Sequence, residues 1–182
     1  AALEQGTGRK DVILLSPTGS GKTLAYLLPL LLTLKPNDDS VQVLILVPSR
    51  ELALQIDTVF RSMGTSWKTC CCYGGHPIAE EKKSIAGNHP AIIIGTPGRI
   101  TDHLAKGNFD PETIETLIID EFDKSLEFGF HDEMAEIITQ LPGLKKRVLL
   151  SATDAEEIPQ FTGLNRTVKL DFLPETSQEQ ET

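Results

Sequence analysis

The hydrophobic positions of this chain fall into short runs that alternate with longer amphipathic stretches. Seven runs rich in leucine and β-branched residues are predicted to be strands. They are residues 12–15, 41–47, 69–73, 91–95, 116–120, 147–151 and 168–170. Nearly continuous apolar runs are typical of strands that helices cover on both faces. The pattern therefore predicts an α/β domain with a mostly parallel sheet and helices on both faces.

In several segments between these strands, apolar residues recur at the spacing of a helix. The predicted helices are residues 24–34, 52–63, 96–107 and 130–141. Thr96 suits the cap of its helix, Pro97 its first position and Gly107 its end. Residues 24–34 form the longest apolar stretch, which is shorter than the about 20 residues that a bilayer crossing needs. We therefore expect a buried helix here and no membrane association.

Composition and charge restrict the class of protein. The 182 residues are 40% hydrophobic and 24% charged, which is typical of one globular domain. The net charge of -9 argues against a protein that coats nucleic acid through a broad basic face. The cysteines are consecutive (Cys70, Cys71, Cys72), so we expect core thiols in a reducing, cytoplasmic compartment. The histidines show no metal-ligand spacing, and we expect all four in loops or at the surface: His76, His89, His103 and His131.

A glycine-rich segment directly follows the first predicted strand. Residues 16–23 read SPTGSGKT and lead into the leucine-rich helix, with Ser16 where the strict phosphate-loop pattern has glycine. In such a loop, backbone N–H groups and the helix N-terminus bind phosphate. We expect Lys22 to reach the β- and γ-phosphates and the Thr23 hydroxyl to bind Mg²⁺. The other residues expected against the nucleotide are Thr18, Gly19, Ser20 and Gly21.

Two adjacent acids end the fifth predicted strand. Side chains alternate along a strand, so Asp120 and Glu121 can face one site only if the chain turns there. We expect Asp120 to hold Mg²⁺ and Glu121 to polarise an attacking water. In the alternative interpretation, the two acids simply favour the start of a helix.

Six segments, in this order, resemble the motifs of DEAD-box RNA helicases within helicase superfamily 2. They are residues 16–23, 48–53 (PSRELA), 74–75 (GG), 96–99 (TPGR), 120–123 (DEFD) and 151–153 (SAT). Phe122 replaces the family's usual alanine, and we expect it to pack in the core under the phosphate-loop helix. The resemblance implies a RecA-like P-loop NTPase domain over residues 1–172, with residues 173–182 as a polar tail toward a second RecA-like domain.

The same resemblance implies ATP and Mg²⁺ as cofactors and RNA as a partner, held by its backbone without base reading. The implied RNA contacts are Pro48, Arg50, Gly74, Gly75, Thr96, Gly98 and Arg99. The implied catalytic residues are Lys22, Asp120, Glu121, Ser151 and Thr153, the last two linking the nucleotide site to the RNA side. With few cations available, we expect modest RNA affinity and a shallow salt dependence. By its spacing from the phosphate loop, the family's adenine-reading glutamine would precede Ala1, and Gln5 lies too close.

The sequence therefore favours the first domain of a monomeric ATP-dependent RNA helicase, nearly inactive without its second domain. Two alternatives stay open. One is a superfamily 2 DNA helicase or translocase, and the other is a non-catalytic scaffold that binds RNA or protein and uses nucleotide as a switch. A small-molecule P-loop kinase would leave residues 96–99 and 151–153 unexplained.

Overall fold

Seven parallel strands form one sheet in the computed structural model of the chain, which describes residues 11–17, 21–154, 158–165 and 167–173. The strands are β1 Val12–Leu15, β2 Val43–Leu46, β3 Thr69–Cys72, β4 Ile92–Gly95, β5 Thr116–Ile119, β6 Lys146–Ser151 and β7 Val168–Asp171. Their order in the sheet is β3-β4-β2-β5-β6-β1-β7, and every neighbouring pair is parallel. All seven predicted strands are confirmed, and the predicted parallel sheet with them.

Helices cover both faces of this sheet, as predicted. They are α1 Lys22–Thr33, α2 Arg50–Ser62, α3 Ile78–Asn88, α4 Pro97–Ala105, α5 Phe122–Glu127 and α6 His131–Thr139. Alternate side chains of each strand enter different cores. Val12 and Leu14 pack in the core with α1 and α2, whereas Ile13 and Leu15 pack in the core with the other four helices. The fold is therefore a three-layer α/β arrangement.

The first helix is amphipathic rather than fully buried. Tyr26, Leu27 and Leu30 are buried against the sheet, whereas Leu24, Leu28 and Leu32 lie on the exposed side. The prediction of a buried helix is therefore correct for one face only. None of the helices in the described part of the chain combines the length and the apolar run that a bilayer crossing requires.

Two helices escaped the sequence analysis. Helix α5 spans only six residues. Helix α3 buries just two side chains, and one of them is the carboxylate of Glu81 rather than an apolar group. Because a charged residue occupies an inward position, the apolar period on which the prediction rests is interrupted.

Phe122 is a core residue, but it does not lie under α1. Its ring packs on the opposite face of the sheet, 6.4 Å between centroids from the ring of Phe161. The preceding residue, Glu121, has a left-handed backbone conformation with φ 49° and ψ 49°. This turn directs α5 to the face that α1 does not occupy.

Candidate functional site

The carboxyl ends of parallel strands meet at one edge of the sheet, where open α/β sheets bind their ligands. The order of strands divides the predicted motifs into two groups along this edge. Three motifs stand at the carboxyl ends of β1, β5 and β6, which are neighbours in the sheet. They are residues 16–23 after β1, 120–123 after β5 and 151–153 at the end of β6. The other three motifs follow β2, β3 and β4, which are also neighbours in the sheet. They are residues 48–50 after β2, 74–75 after β3 and 96–99 after β4. We call these groups the β1 half and the β2 half.

The phosphate loop connects β1 to α1 in the β1 half. Gly21 stands immediately before α1 with φ 77°, a conformation that favours glycine. Lys22 is the first residue of the helix, and its Nζ donates to the carbonyl oxygen of Ser16 at 2.8 Å. Thr18, Gly19 and Ser20 lie outside the described residues, so their assigned roles stay predictions.

Asp120 is a buried carboxylate directed toward the phosphate loop. It is 3% exposed, and it accepts hydrogen bonds from the hydroxyl of Tyr26 at 3.1 Å and from the backbone N–H of Glu121 at 2.8 Å. Burial raises the pKa of Asp120 above its usual range, while these two hydrogen bonds and the charge of Lys22 act in the opposite direction. Lys22 is therefore near enough for its charge to act on the Asp120 carboxylate.

Tyr26 connects the two motifs, and the sequence analysis did not identify it. Its hydroxyl contacts Asp120 and also hydrogen bonds with the side chain of Thr23. Burial and the neighbouring Asp120 charge raise the pKa of Tyr26 well above its ordinary value. The available signal was a tyrosine one helical turn after Thr23 within an otherwise aliphatic stretch, because a buried tyrosine hydroxyl normally requires a partner.

The backbone turns at Glu121, as it must if the side chains of Asp120 and Glu121 are to face one site. A left-handed conformation is uncommon for a residue other than glycine, and such strain is concentrated at functional sites. Although Glu121 occupies the cap position of α5, its side chain makes no capping hydrogen bond. Its carboxylate is 20% exposed, with Oε1 3.7 Å from Nζ of Lys124. Glu121 thus stands at the start of α5, as the helix-start interpretation expects, but its carboxylate is not engaged in capping the helix.

Hydrogen bonds join the ends of β5 and β6. The Thr153 hydroxyl donates to Oδ2 of Asp123 at 3.2 Å, and the Ser151 hydroxyl donates to the carbonyl oxygen of Thr153 at 2.7 Å. The other oxygen of Asp123 is buried and accepts no hydrogen bond from the residues that the structure describes. The structure therefore brings Thr153 into contact with the acidic motif, and Ser151 is linked to it through Thr153.

The β2 half presents helix N-termini and glycines. The hydroxyl of Ser49 caps α2 by accepting from the N–H of Leu52 at 3.3 Å, and Pro48 before it is buried. Arg50 is exposed, with its guanidinium carbon 5.7 Å from the centroid of the Tyr73 ring. Thr96 occupies the cap position of α4, although its side chain makes no capping hydrogen bond. Gly74, Gly75 and Gly98 are exposed, and Gly75 has φ 99°.

Arg99, in contrast, is already paired inside the protein. Its side chain is 12% exposed, and its two terminal nitrogens donate to Oε1 of Glu81 at 3.2 Å and to the carbonyl oxygen of His76 at 3.0 Å. His103 is fully buried, and Nε2 of its ring lies 2.7 Å from Oε1 of Glu81. The expectation that every histidine lies in a loop or at the surface is therefore wrong for His103.

Sequence comparison identifies the relatives of this chain. The family model described as DEAD/DEAH box helicase matches residues 1–161. The chain is 36% identical to the DEAD-box ATP-dependent RNA helicase RhpA of Helicobacter pylori, over 91% of this chain and 34% of the relative. It is 38% identical to the ATP-dependent RNA helicase drs1 of Aspergillus clavatus, over 88% of this chain and 20% of the relative. The chain thus spans about a third of the length of the first relative and a fifth of the second.

Solved structures show the same fold. A DEAD box protein from the hyperthermophile Methanococcus jannaschii matches with a TM-score of 0.83 and 29% identity, over 93% of this chain and 46% of that one. Mss116p bound to ssRNA and AMP-PNP matches with a TM-score of 0.82 and 28% identity, over 91% of this chain and 37% of that one. The sheet is thus a RecA-like domain, and the chain belongs to the DEAD/DEAH box helicase family.

Proposed function

We propose that this chain is the first RecA-like domain of an ATP-dependent RNA helicase. In this proposal residues 1–172 form the domain and residues 173–182 lead to a second one. The observation that carries it is that the Tyr26 hydroxyl bonds both to Asp120 and to the side chain of Thr23, which joins the acidic motif to the end of the phosphate loop. The names of the relatives, and the RNA and nucleotide bound to Mss116p, support both ligands. We also infer that the protein is a monomer in a reducing, cytoplasmic compartment.

The residues around Asp120 fit a magnesium ion. The two hydrogen-bond donors to this carboxylate are neutral, so its buried negative charge has no directly bonded cation among the described residues. A hydroxyl and a carboxylate supply the oxygen ligands that Mg²⁺ favours, and Thr23 and Asp120 would hold it. When bound, Mg²⁺ would offset negative charge on the phosphates during hydrolysis.

The remaining groups of the β1 half divide the work on ATP. Lys22 would exchange the Ser16 carbonyl oxygen for phosphate oxygens, with residues 18–21 supplying backbone N–H groups. Glu121, which is not used as a helix cap, would polarise the attacking water. Ser151 and Thr153 would link the nucleotide site to the RNA side through their hydrogen bonds toward Asp123.

RNA would lie along the β2 half. The N-termini of α2 and α4 offer backbone N–H groups and partial positive charge to phosphates. Exposed glycines at positions 74, 75 and 98 allow close approach of a sugar-phosphate backbone, and Arg50 adds an exposed charge. None of these features reads a base, so we propose sequence-independent binding.

ATPase activity of the full-length protein, with and without RNA, tests the proposal. We expect stimulation by RNA and weaker stimulation by DNA, whereas stronger stimulation by DNA would favour the translocase alternative. Glu121→Gln should lower turnover by about 10²–10⁴-fold while nucleotide binding persists. Glu127→Gln, at the exposed end of α5, is the matched control. Unchanged turnover in Glu121→Gln would favour the scaffold alternative.

A further inference from the structure

Glu81 is a buried carboxylate outside the nucleotide site. It lies on α3 and is 3% exposed, in a core where an isolated charge would be costly. It has no part in the sequence motifs. A charge this well buried requires partners, and those partners indicate its role.

Four donors, from the two sides of Glu81, satisfy its carboxylate. Oε2 accepts from the backbone N–H of Tyr73 at 2.9 Å and from Nε2 of His76 at 2.5 Å. Oε1 accepts from Arg99 at 3.2 Å and from Nε2 of His103 at 2.7 Å. The first pair flanks the glycine loop after β3, and the second pair lies on α4. One carboxylate thus ties together two segments of the β2 half.

Arg99 also contacts the glycine-loop side through its second terminal nitrogen. It donates to the carbonyl oxygen of His76 at 3.0 Å, so the guanidinium bridges Glu81 and the end of the glycine loop. A guanidinium with both terminal nitrogens bonded inside the protein, and a side chain 12% exposed, is poorly placed to bind phosphate as well. We call Glu81, Arg99, His76 and His103 the clamp.

Two clamp residues, Glu81 and His103, lie close enough to Cys72 to suggest a metal site by distance alone. Ligand atoms of Cys72, Glu81 and His103 lie within 4.8 Å of one another. However, an ionised carboxylate only accepts, so His103 must donate from Nε2, and its Nδ1 lies 2.9 Å from the amide nitrogen of Asn108. Both ring nitrogens are therefore occupied by hydrogen bonds, and the cluster is a hydrogen-bond network.

We propose that Glu81 is a positioning residue for RNA binding. It holds the glycine loop at a fixed distance from the first turn of α4, so that both segments can contact one backbone together. Arg99 belongs to this clamp and acts through it, rather than as a direct phosphate ligand. The inference rests on the proposed RNA-binding function.

The Glu81→Gln substitution distinguishes a positioning role of Glu81 from a simple effect of its negative charge on RNA binding. A glutamine has one accepting oxygen, so two of the four donors would face an NH₂ group. By charge alone, Glu81→Gln should strengthen RNA binding, because it removes a negative charge near the RNA. By positioning, it should weaken binding. Asp102→Asn is the matched control, since it removes the same charge from an exposed side chain on α4, next to His103.

The test uses the full-length protein and three measurements. For Glu81→Gln we expect roughly tenfold weaker RNA affinity with a non-hydrolysable ATP analogue present, and nucleotide affinity within about twofold of wild type. Amide hydrogen exchange should be roughly tenfold faster across residues 73–76, because two of the four hydrogen bonds to residue 81 are lost, and unchanged in β2. Asp102→Asn should bind RNA as well as wild type, or more tightly.

Arg99→Ala gives a second test that does not require a substitution at the buried carboxylate. If Arg99 belongs to the clamp, this variant should also accelerate amide exchange at residues 73–76. Weaker RNA binding with unchanged exchange would make Arg99 a direct ligand and overturn the proposal.

Two other results would also overturn it. One is RNA affinity in Glu81→Gln equal to or tighter than wild type, and the other is stoichiometric Zn²⁺ binding that Glu81→Gln abolishes. If wild-type protein bound no RNA, the proposed function itself would fail. Wild-type RNA binding with an unaffected Glu81→Gln variant would reject the role of Glu81 alone.

Discussion

The β1 half and the β2 half of the sheet edge each contain a buried carboxylate, but the two carboxylates differ in their partners. Asp120 receives hydrogen bonds from a tyrosine hydroxyl and a backbone N–H, both neutral. Glu81 receives four, including one from the guanidinium of Arg99. Among the residues that the structure describes, the negative charge is balanced by a bonded cation in the β2 half and not in the β1 half.

This difference suits two kinds of ligand. In the β1 half, an uncompensated carboxylate near Lys22 leaves room for a cation and phosphates to complete the charge balance. In the β2 half, the charges are matched internally, and helix N-termini, glycines and Arg50 face outward. The proposed function would therefore let an acidic domain bind an anionic polymer locally. Three substitutions test this comparison, from the largest expected effect to the smallest.

Lys22→Ala should have the largest effect, and only in the β1 half. Loss of a charged hydrogen-bond donor to phosphate should weaken nucleotide binding by more than about 100-fold, measured by calorimetry. Nucleotide-free RNA binding should change little. The control is Lys106→Ala, an exposed lysine after α4. Nucleotide affinity close to wild type in Lys22→Ala would remove this lysine from the site.

Arg50→Ala should have an intermediate effect, confined to the β2 half. We expect RNA affinity to fall about fivefold to tenfold, equally across sequences, and the salt slope of binding to decrease by about 1. Fluorescence anisotropy with several RNA sequences at several salt concentrations measures both. Arg61→Ala is the control, since this arginine is 73% exposed and lies at the other end of the same helix. A loss that depended on sequence would indicate base reading.

Glu115→Gln, at the opposite edge of the sheet, should have the smallest effect. Hydrogen bonding to Lys35 lowers the pKa of Glu115 below its ordinary value of 4.5, so the ionised form favours the folded state. This stabilisation is present above pH 4.5 and is lost as pH falls through the lowered pKa.

Thermal unfolding measures this contribution. Because the pair is exposed and screened, we expect Glu115→Gln to lower the melting temperature by about 2 °C or less near pH 7. The difference from wild type should shrink as the pH falls below 4.5 and vanish once the carboxylate is protonated in the folded protein. Nucleotide and RNA affinities should not change, and a change in either would contradict the assignment of both ligands to the carboxyl edge.

The β1 half could be predicted from sequence because its signals are local. A glycine-rich loop between a strand and a helix, and two acids after a buried run, are recognisable within a few residues. Tyr26 could not be assigned in this way, because in sequence it is one aromatic among leucines. Its role depends on Asp120, which is 94 positions away.

The clamp of the β2 half was not predictable for a related reason. Helix α3 buries a carboxylate where the periodic pattern expects an apolar side chain, and His103 carries no ligand spacing. Glu81 pairs with residues 18 and 22 positions further along the chain. These pairs form only when β3 and β4 place α3 beside α4.

The sequence by itself therefore determined the strands, the α/β class, the family and which motifs follow which strands, because apolar periodicity and loop chemistry act over short distances. Only the tertiary structure decided which face Phe122 occupies, which buried carboxylate has a bonded cation and which arginine remains exposed. The energy of a buried charge depends on the groups that surround it in space, and folding brings those groups together from distant parts of the chain.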